Sequence, residues 1–90
     1  MSKRNRLEII YTILTLIQEN DNSIKPTPLL RYTNISSQSF NEYYAELLDK
    51  ELIREDLDSK KRKYITLTDK GFKYIQKYKI ILGFMDEFDL

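Results

Sequence analysis

The stretch at residues 27–50 most constrains the fold, because its pattern predicts two short helices joined by a tight turn. Thr27 followed by Pro28 predicts a helix start, since the threonine hydroxyl can cap a helix and the fixed φ of proline suits the first helical position. Asn34 can adopt the left-handed conformation that ends this helix, and Ser36 can cap the next one. The sequence therefore predicts one helix on each side of a turn of a few residues.

The second of these helices, residues 36–50, has two different faces. Its apolar side chains recur at spacings of three and four, which predicts a buried face made of Phe40, Tyr43, Tyr44, Leu47 and Leu48. A second face is small, polar and uncharged. Two helices with a short turn, the second carrying amide and hydroxyl groups near its start, form a helix-turn-helix, which places the second helix in the DNA major groove.

The candidate DNA contacts of this motif are Ser36, Ser37, Gln38, Asn41 and Arg31. An asparagine or glutamine amide can bind adenine through two hydrogen bonds, and hydroxyl groups can bind phosphates or base edges. Arg31 can reach a phosphate where the first helix of the motif crosses the DNA backbone. The alternative for the uncharged face is an ordinary solvated helix surface, and for Ser36 it is a purely capping role.

A hairpin with a basic tip follows the two helices. Residues 51–57 predict a strand, residues 58–61 a polar turn, and residues 62–67 a returning strand of alternating character. The tip contains four consecutive cations, Lys60, Lys61, Arg62 and Lys63, in a chain whose net charge is only +1. We expect these cations to bind backbone phosphates or to enter the minor groove. The alternative is a solvated tip that protects the sheet edge from pairing.

The segment before the motif predicts a helix and a short extended piece. Asn5 and Glu8 have the spacing of a capping box, and an apolar stripe continues from there to a helix end near Glu19. Residues 24–25, which precede Pro26, predict an edge strand that pairs with the hairpin. Lys3, Arg4 and Arg6 are candidates for a basic arm on DNA, with a frayed terminus as the alternative.

A long last helix is predicted from Asp69 to about Phe88, capped by Thr68. Its apolar residues recur at four-three spacing, which predicts a seam with a second copy of the chain. Lysines in the first half and acids at the end favour antiparallel pairing. We therefore assign residues 1–68 to DNA binding and residues 69–90 to dimerisation within one structural domain. The predicted interface residues are Tyr74, Ile75, Tyr78, Ile81, Leu82, Met85 and Phe88.

Composition argues against catalysis and metal binding. The 90 residues include no cysteine and no histidine, which removes thiolate nucleophiles, the usual zinc ligands and the usual base at neutral pH. We expect no enzymatic activity, no cofactor and no metal. No apolar run approaches the roughly 20 residues that span a bilayer, and the N-terminus lacks the pattern of a signal peptide. A cytoplasmic protein is expected.

Four segments resemble small archaeal dimeric winged-helix DNA-binding proteins, a family that includes Sulfolobus-type chromatin proteins and predicted transcriptional regulators. The segments are RLEII at 6–10, TNIS at 33–36, LLDKELI at 47–53 and YITLTDKG at 64–71. The resemblance implies an α+β winged helix-turn-helix fold with a long C-terminal helix, and a homodimer formed by antiparallel pairing of that helix. It also implies that double-stranded DNA contacts a recognition helix at 36–50 and a wing at 58–63.

An alternative function is a winged-helix protein-protein interaction module without DNA binding. The net charge near zero is consistent with it, as are the acids Glu42, Glu46 and Asp49 on the predicted recognition helix. The chain also departs from the family pattern at Glu51, where glycine is usual. A transcriptional regulator or small chromatin protein, associated with the nucleoid, remains the favoured prediction.

Overall fold

Four helices and a two-stranded hairpin follow one another along the chain in the computed structural model, which describes residues 5–90. Lys3 and Arg4 lie outside the described residues. The strands pair antiparallel, and an isolated bridge joins Ile24 to Ile65. This arrangement confirms the predicted winged helix-turn-helix with a long C-terminal helix. The elements are α1 (Arg6–Glu19), α2 (Pro26–Thr33), α3 (Ser37–Asp49), β1 (Ile53–Leu57), β2 (Lys63–Leu67) and α4 (Asp69–Glu87).

Side-chain caps fix the starts of three helices. The Asn5 side chain accepts a hydrogen bond from the Glu8 N–H (2.8 Å), and the Ser36 hydroxyl accepts one from the Ser39 N–H (3.1 Å). The Thr68 hydroxyl accepts one from the Gly71 N–H (3.1 Å). These caps satisfy N–H groups that have no partner inside the helix, and they confirm the predicted starts of α1, α3 and α4.

The predicted start of α2 is wrong. The helix begins at Pro26, and Thr27 already lies inside its first turn. Lys25 is the extended residue before the helix and makes no capping hydrogen bond with its side chain. Pro26, and not Pro28, occupies the first helical position. The physical reason is the same for either proline: its fixed φ is helical, and the N–H that it lacks would have no partner there in any case.

The core lies between α1, α2, α3 and the inner face of the hairpin. Helix α1 is its centre, since it packs against α2, α4 and β2. The side chains that are almost entirely inaccessible to solvent come from all six elements and include Ile13, Leu14, Ile17, Leu29, Leu47, Ile53, Ile65 and Ile75.

A left-handed residue joins α3 to β1. Glu51 has φ 59°, and its N–H donates to the Leu48 carbonyl (3.1 Å), while the Leu52 N–H donates to the Leu47 carbonyl (2.9 Å). These two bonds form a Schellman motif, whose left-handed position is usually glycine. Glu51 therefore occupies the position that glycine fills in the family pattern.

The start of α4 packs directly against this turn. A Cβ atom added at Gly71 would lie 2.3 Å from the Leu52 carbonyl oxygen, so no larger residue fits without movement of the backbone. The Thr68 N–H donates to the same oxygen (3.2 Å), and the Thr68 hydroxyl donates to the Glu51 carbonyl (2.6 Å). Gly71 thus permits the close packing of α4 on the turn that precedes the hairpin.

The two halves of α4 have different surroundings. Ile75 and Tyr78 are buried in the protomer, and the Tyr74 hydroxyl donates to the Leu7 carbonyl (2.8 Å). The assignment of Ile75 and Tyr78 to a dimer interface is therefore wrong, because their side chains already pack inside one chain. Burial raises the pKa of Tyr74 to about 12. Beyond Tyr78 the apolar residues of α4 are mostly exposed.

The substitution Gly71→Ala is expected to lower the free energy of unfolding by about 1–3 kcal/mol, because the added methyl group meets backbone. Gly83→Ala, in the same helix, is the matched control: nothing lies within 4 Å of a Cβ at that position, so the helix should gain about 0.5–1 kcal/mol. Urea denaturation followed by circular dichroism measures both. An equal loss of stability in the two variants would contradict the packing role of Gly71.

Candidate nucleic-acid interface

The start of α3 presents an uncharged polar surface. Ser37, Gln38 and Asn41 are exposed, whereas Phe40 and Leu47 are buried on the opposite side of the helix. Within the described residues, none of these three polar side chains makes a hydrogen bond to another part of the chain. Their hydroxyl and amide groups are therefore free to bind an external partner. Ser36 is also exposed, but its hydroxyl caps the helix.

Among the described residues, Glu46 of α3 forms ion pairs, whereas the other two acidic residues of this helix do not. The Glu46 carboxylate accepts hydrogen bonds from the Arg6 guanidinium, with Nη1 at 2.7 Å from Oε1, and from Lys50 Nζ at 2.6 Å. Glu42 and Asp49 are exposed and form no ion pair within residues 5–90. Arg6 was missed as a partner of this helix because it lies 40 positions away in the sequence. The Lys50 contact has the i,i+4 spacing that the sequence does show.

A single carboxylate organises the turn of the wing. Asp58 Oδ1 accepts hydrogen bonds from the N–H groups of Lys60 and Arg62, both at 2.8 Å, and Oδ2 lies 3.2 Å from Arg62 Nε. Lys25 Nζ, at the start of α2, is 3.5 Å from the same Oδ2. The hydrogen bond from the Arg62 N–H is the main reason that the pKa of Asp58 lies below its ordinary value. The turn is thus built around an anion, and Lys61 takes the left-handed conformation at its tip (φ 62°).

The four basic residues of the wing are all exposed, but they are not equivalent. Arg62 pairs with Asp58, and Lys63 Nζ lies 3.4 Å from Glu55 Oε2. Lys60 and Lys61 have no ion pair in the part of the chain that the structure describes. The positive charge available to a ligand is therefore concentrated on two of the four predicted residues.

The recognition helix contacts the hairpin through Tyr44. Its hydroxyl donates to the Glu55 carboxylate of β1, and its ring stacks on Phe40 with centroids 5.7 Å apart. Burial, followed by the hydrogen bond to Glu55, raises the pKa of Tyr44. Sequence analysis identified Tyr44 as a core residue but not this link.

The end of α2 adds two exposed residues beside the turn of the motif. Arg31 is exposed and forms no ion pair within residues 5–90, so its position is compatible with the predicted phosphate contact. Tyr32 is 62% exposed, unlike the tyrosines of α1 and α4, which pack against one another.

The second half of α4 and the three residues after it carry a C-terminal apolar surface, defined here as Ile80, Ile81, Phe84, Phe88 and Leu90. Each of these residues is 46% or more exposed. The rings of Phe84 and Phe88 lie 5.0 Å apart, so these two side chains are in contact. Leu82 and Met85, which were predicted to belong to the interface, are half-buried, as is Tyr74. The sequence analysis did not include Ile80 and Phe84 in the apolar face of α4. The predicted face continued the spacing of Ile75 and Tyr78, which pack in the core.

The described part of the chain contains no group of three or more acidic, histidine or cysteine residues placed to hold a metal ion. Among residues 5–90, no helix combines the length and apolar character that crossing a membrane requires.

Comparisons with known proteins point in one direction. A protein-family model described as winged helix-turn-helix matches residues 3–85. Among solved structures, F93 from STIV, described as a winged-helix DNA-binding protein, is similar with a TM-score of 0.74 and 22% sequence identity, over 89% of this chain and 91% of that chain. At that identity the likeness concerns the fold. No curated protein sequence matches. Because the family model spans nearly all of the 90 residues, this chain belongs to the winged helix-turn-helix family.

Proposed function

We propose that the chain binds double-stranded DNA as a transcriptional regulator or a small chromatin protein, and that it acts by binding and not by catalysis. The observation that carries the proposal is the exposed face of Ser37, Gln38 and Asn41 at the start of α3, whose polar groups have no partner within the described residues. In a helix-turn-helix this part of the second helix contacts base edges in the major groove. Cytoplasmic localisation, in association with the nucleoid, belongs to the same proposal.

The wing supplies the electrostatic part of binding. Lys60 and Lys61 are exposed and have no ion pair among residues 5–90, so they can approach phosphates without giving up an internal contact. Arg31 lies in the last turn of α2, where it is exposed and can bind a phosphate. Phosphate contacts of this kind position a protein on DNA, whereas base contacts specify the sequence.

A homodimer through α4 completes the proposal. Each residue of the C-terminal apolar surface is 46% or more exposed in the single chain. Covering such a patch with a second copy removes apolar area from water, which is the main favourable term in association. Antiparallel pairing brings the lysines of one helix, among them Lys73 and Lys77, toward Asp86 and Glu87 of the other. Two protomers then present two recognition helices to one duplex.

The alternative is an interaction module that kept the fold without DNA binding. The exposed carboxylates of Glu42 and Asp49 on α3 favour it, because they would repel a phosphate backbone. The charge pattern of the wing favours DNA. Binding of duplex DNA at low salt distinguishes the two functions.

Removal of the two unpaired wing lysines should weaken DNA binding at low salt. The logarithm of the association constant falls with the logarithm of salt concentration with a slope of about −0.9 per neutralised phosphate, so Lys60→Ala/Lys61→Ala should reduce the slope by up to about 1.8. Fluorescence anisotropy with a labelled duplex at several salt concentrations measures the association constants that give the slope. Lys73→Ala/Lys77→Ala removes the same charge from α4 and should leave the slope unchanged at protein concentrations where sedimentation shows the variant to be in the same oligomeric state as the wild type. If the wild type fails to bind duplex at 50 mM salt, the interaction module is favoured.

Loss of the Gln38 and Asn41 amide groups should lower the sequence specificity of DNA binding and leave its salt dependence unchanged. Gln38→Ala/Asn41→Ala is expected to weaken binding to a duplex selected from a randomised pool by about 1–3 kcal/mol for each amide that binds a base through two hydrogen bonds, with the salt slope unchanged. A competition titration against unselected duplex gives the specificity ratio. If the variant and the wild type have the same ratio, α3 does not read bases.

A charge placed in the C-terminal apolar surface should separate the protomers. Phe84→Glu is expected to convert a dimer to a monomer in sedimentation or light-scattering measurements, while circular dichroism shows a retained fold, because burial of a carboxylate without a partner is costly. Gln18→Glu, at an exposed position of α1, adds the same charge and should leave the dimer intact. A wild-type chain that is monomeric at high concentration would contradict the homodimer.

A further inference from the structure

Glu55 lies between the recognition helix and the wing and contacts both. Its Oε2 accepts a hydrogen bond from the Tyr44 hydroxyl of α3, and the same oxygen is 3.4 Å from Lys63 Nζ of β2. We infer that Glu55 is a positioning residue for DNA binding: it fixes the wing relative to α3 and withholds Lys63 from the phosphate backbone. This inference rests on the proposed function, since it concerns how the same interface engages DNA.

The strand register explains why these groups meet. Ile53 pairs with Leu67, Glu55 with Ile65 and Leu57 with Lys63, so all six side chains lie on one face of the hairpin. At the inner end of this face Ile53, Ile65 and Leu67 are buried in the core. Toward the tip the face emerges from the core, and there the carboxylate of Glu55 stands beside the ammonium group of Lys63.

The local environment makes this ion pair more persistent than a fully exposed one. The side chain of Glu55 is 30% exposed and that of Lys63 is 51% exposed, so water only partly screens their attraction. The Tyr44 hydroxyl donates to the same carboxylate oxygen, and the Tyr44 ring is held by stacking on Phe40. The carboxylate is therefore anchored to α3, and the Lys63 ammonium group lies within ion-pair distance of it.

The pairing determines how many wing cations can neutralise phosphates. A lysine that stays on a carboxylate does not displace a counterion from DNA, so it adds nothing to the salt dependence of binding. Arg62 is held in a similar way by Asp58, but that carboxylate also builds the turn through two backbone N–H groups. Of these two carboxylates, only Glu55 can lose its charge without loss of the turn. The effect of the ion pair on DNA binding can therefore be tested at this position.

Glu55→Gln removes the charge and keeps an oxygen that can accept the Tyr44 hydroxyl. Lys63 is then released, so the slope of log K against log salt should become steeper by about 0.9, and the Kd for duplex DNA at 50 mM salt should fall roughly tenfold. Glu19→Gln makes the same charge change at an exposed end of α1 and should alter neither quantity. Tyr44→Phe breaks the link to α3 and keeps the ion pair, so it should weaken binding without a change of slope.

A double-mutant cycle with Lys63 decides the outcome. Lys63→Ala alone should leave the wild-type slope unchanged, a result that does not depend on the folding of any Glu55 variant. Glu55→Gln/Lys63→Ala should return the slope from the steeper value to that of the wild type. The inference is overturned if Glu55→Gln leaves the slope unchanged, if its steeper slope survives loss of Lys63, or if Lys63→Ala alone lowers the slope. Wild-type protein that binds no duplex overturns the proposed function first, and that result is distinct from these three.

Discussion

The close approach of α4 to the Leu52 carbonyl is the contact on which the remaining geometry depends. Leu52 follows the left-handed residue that ends α3 and immediately precedes β1, so its position sets the direction of the hairpin. The same carbonyl accepts the Thr68 N–H and lies against Gly71 at the start of α4. One junction thus orients the recognition helix, the wing and the terminal helix together. Because packed interiors leave little room for adjustment, a single added methyl group there displaces backbone.

Internal ion pairs decide which charges of this nearly neutral chain are available to a ligand. Glu46 is compensated by Arg6 and Lys50, and Asp58 by Arg62 and Lys25. Each of these acids also offsets the charge of the cations that it pairs with, so near the wing the charges of Arg62 and Lys25 are partly cancelled by Asp58. The net charge of +1 is a poor guide to DNA binding, since the sum does not distinguish a carboxylate that builds a turn from one that faces a partner.

The apolar pattern of α4 combines buried and exposed residues that a sequence cannot separate. Ile75 and Tyr78 complete the core of the protomer, whereas Ile80, Phe84 and Phe88 lie on its outside. Both groups recur with helical spacing, and a continuous stripe through them mixes buried with exposed positions. The error arose because periodicity identifies an apolar face but not the surface that covers it. The buried group of α4 residues ends where α4 is no longer covered by α1.

Local chemistry determined the elements of this protein. The caps at Asn5, Ser36 and Thr68, the left-handed Asn34 and the alternation of β2 depend on neighbours a few residues apart, so the helix-turn-helix, the hairpin and the exposed amide face were predictable from the sequence. The start of α2 was misplaced by two residues because two prolines competed for the same role. Only the tertiary structure decided the pairs Arg6–Glu46 and Tyr44–Glu55, the division of wing cations into paired and unpaired, and the outward side of α4. Those contacts join residues that are distant in sequence or depend on how elements pack, and no local pattern encodes which of several compatible partners a side chain meets.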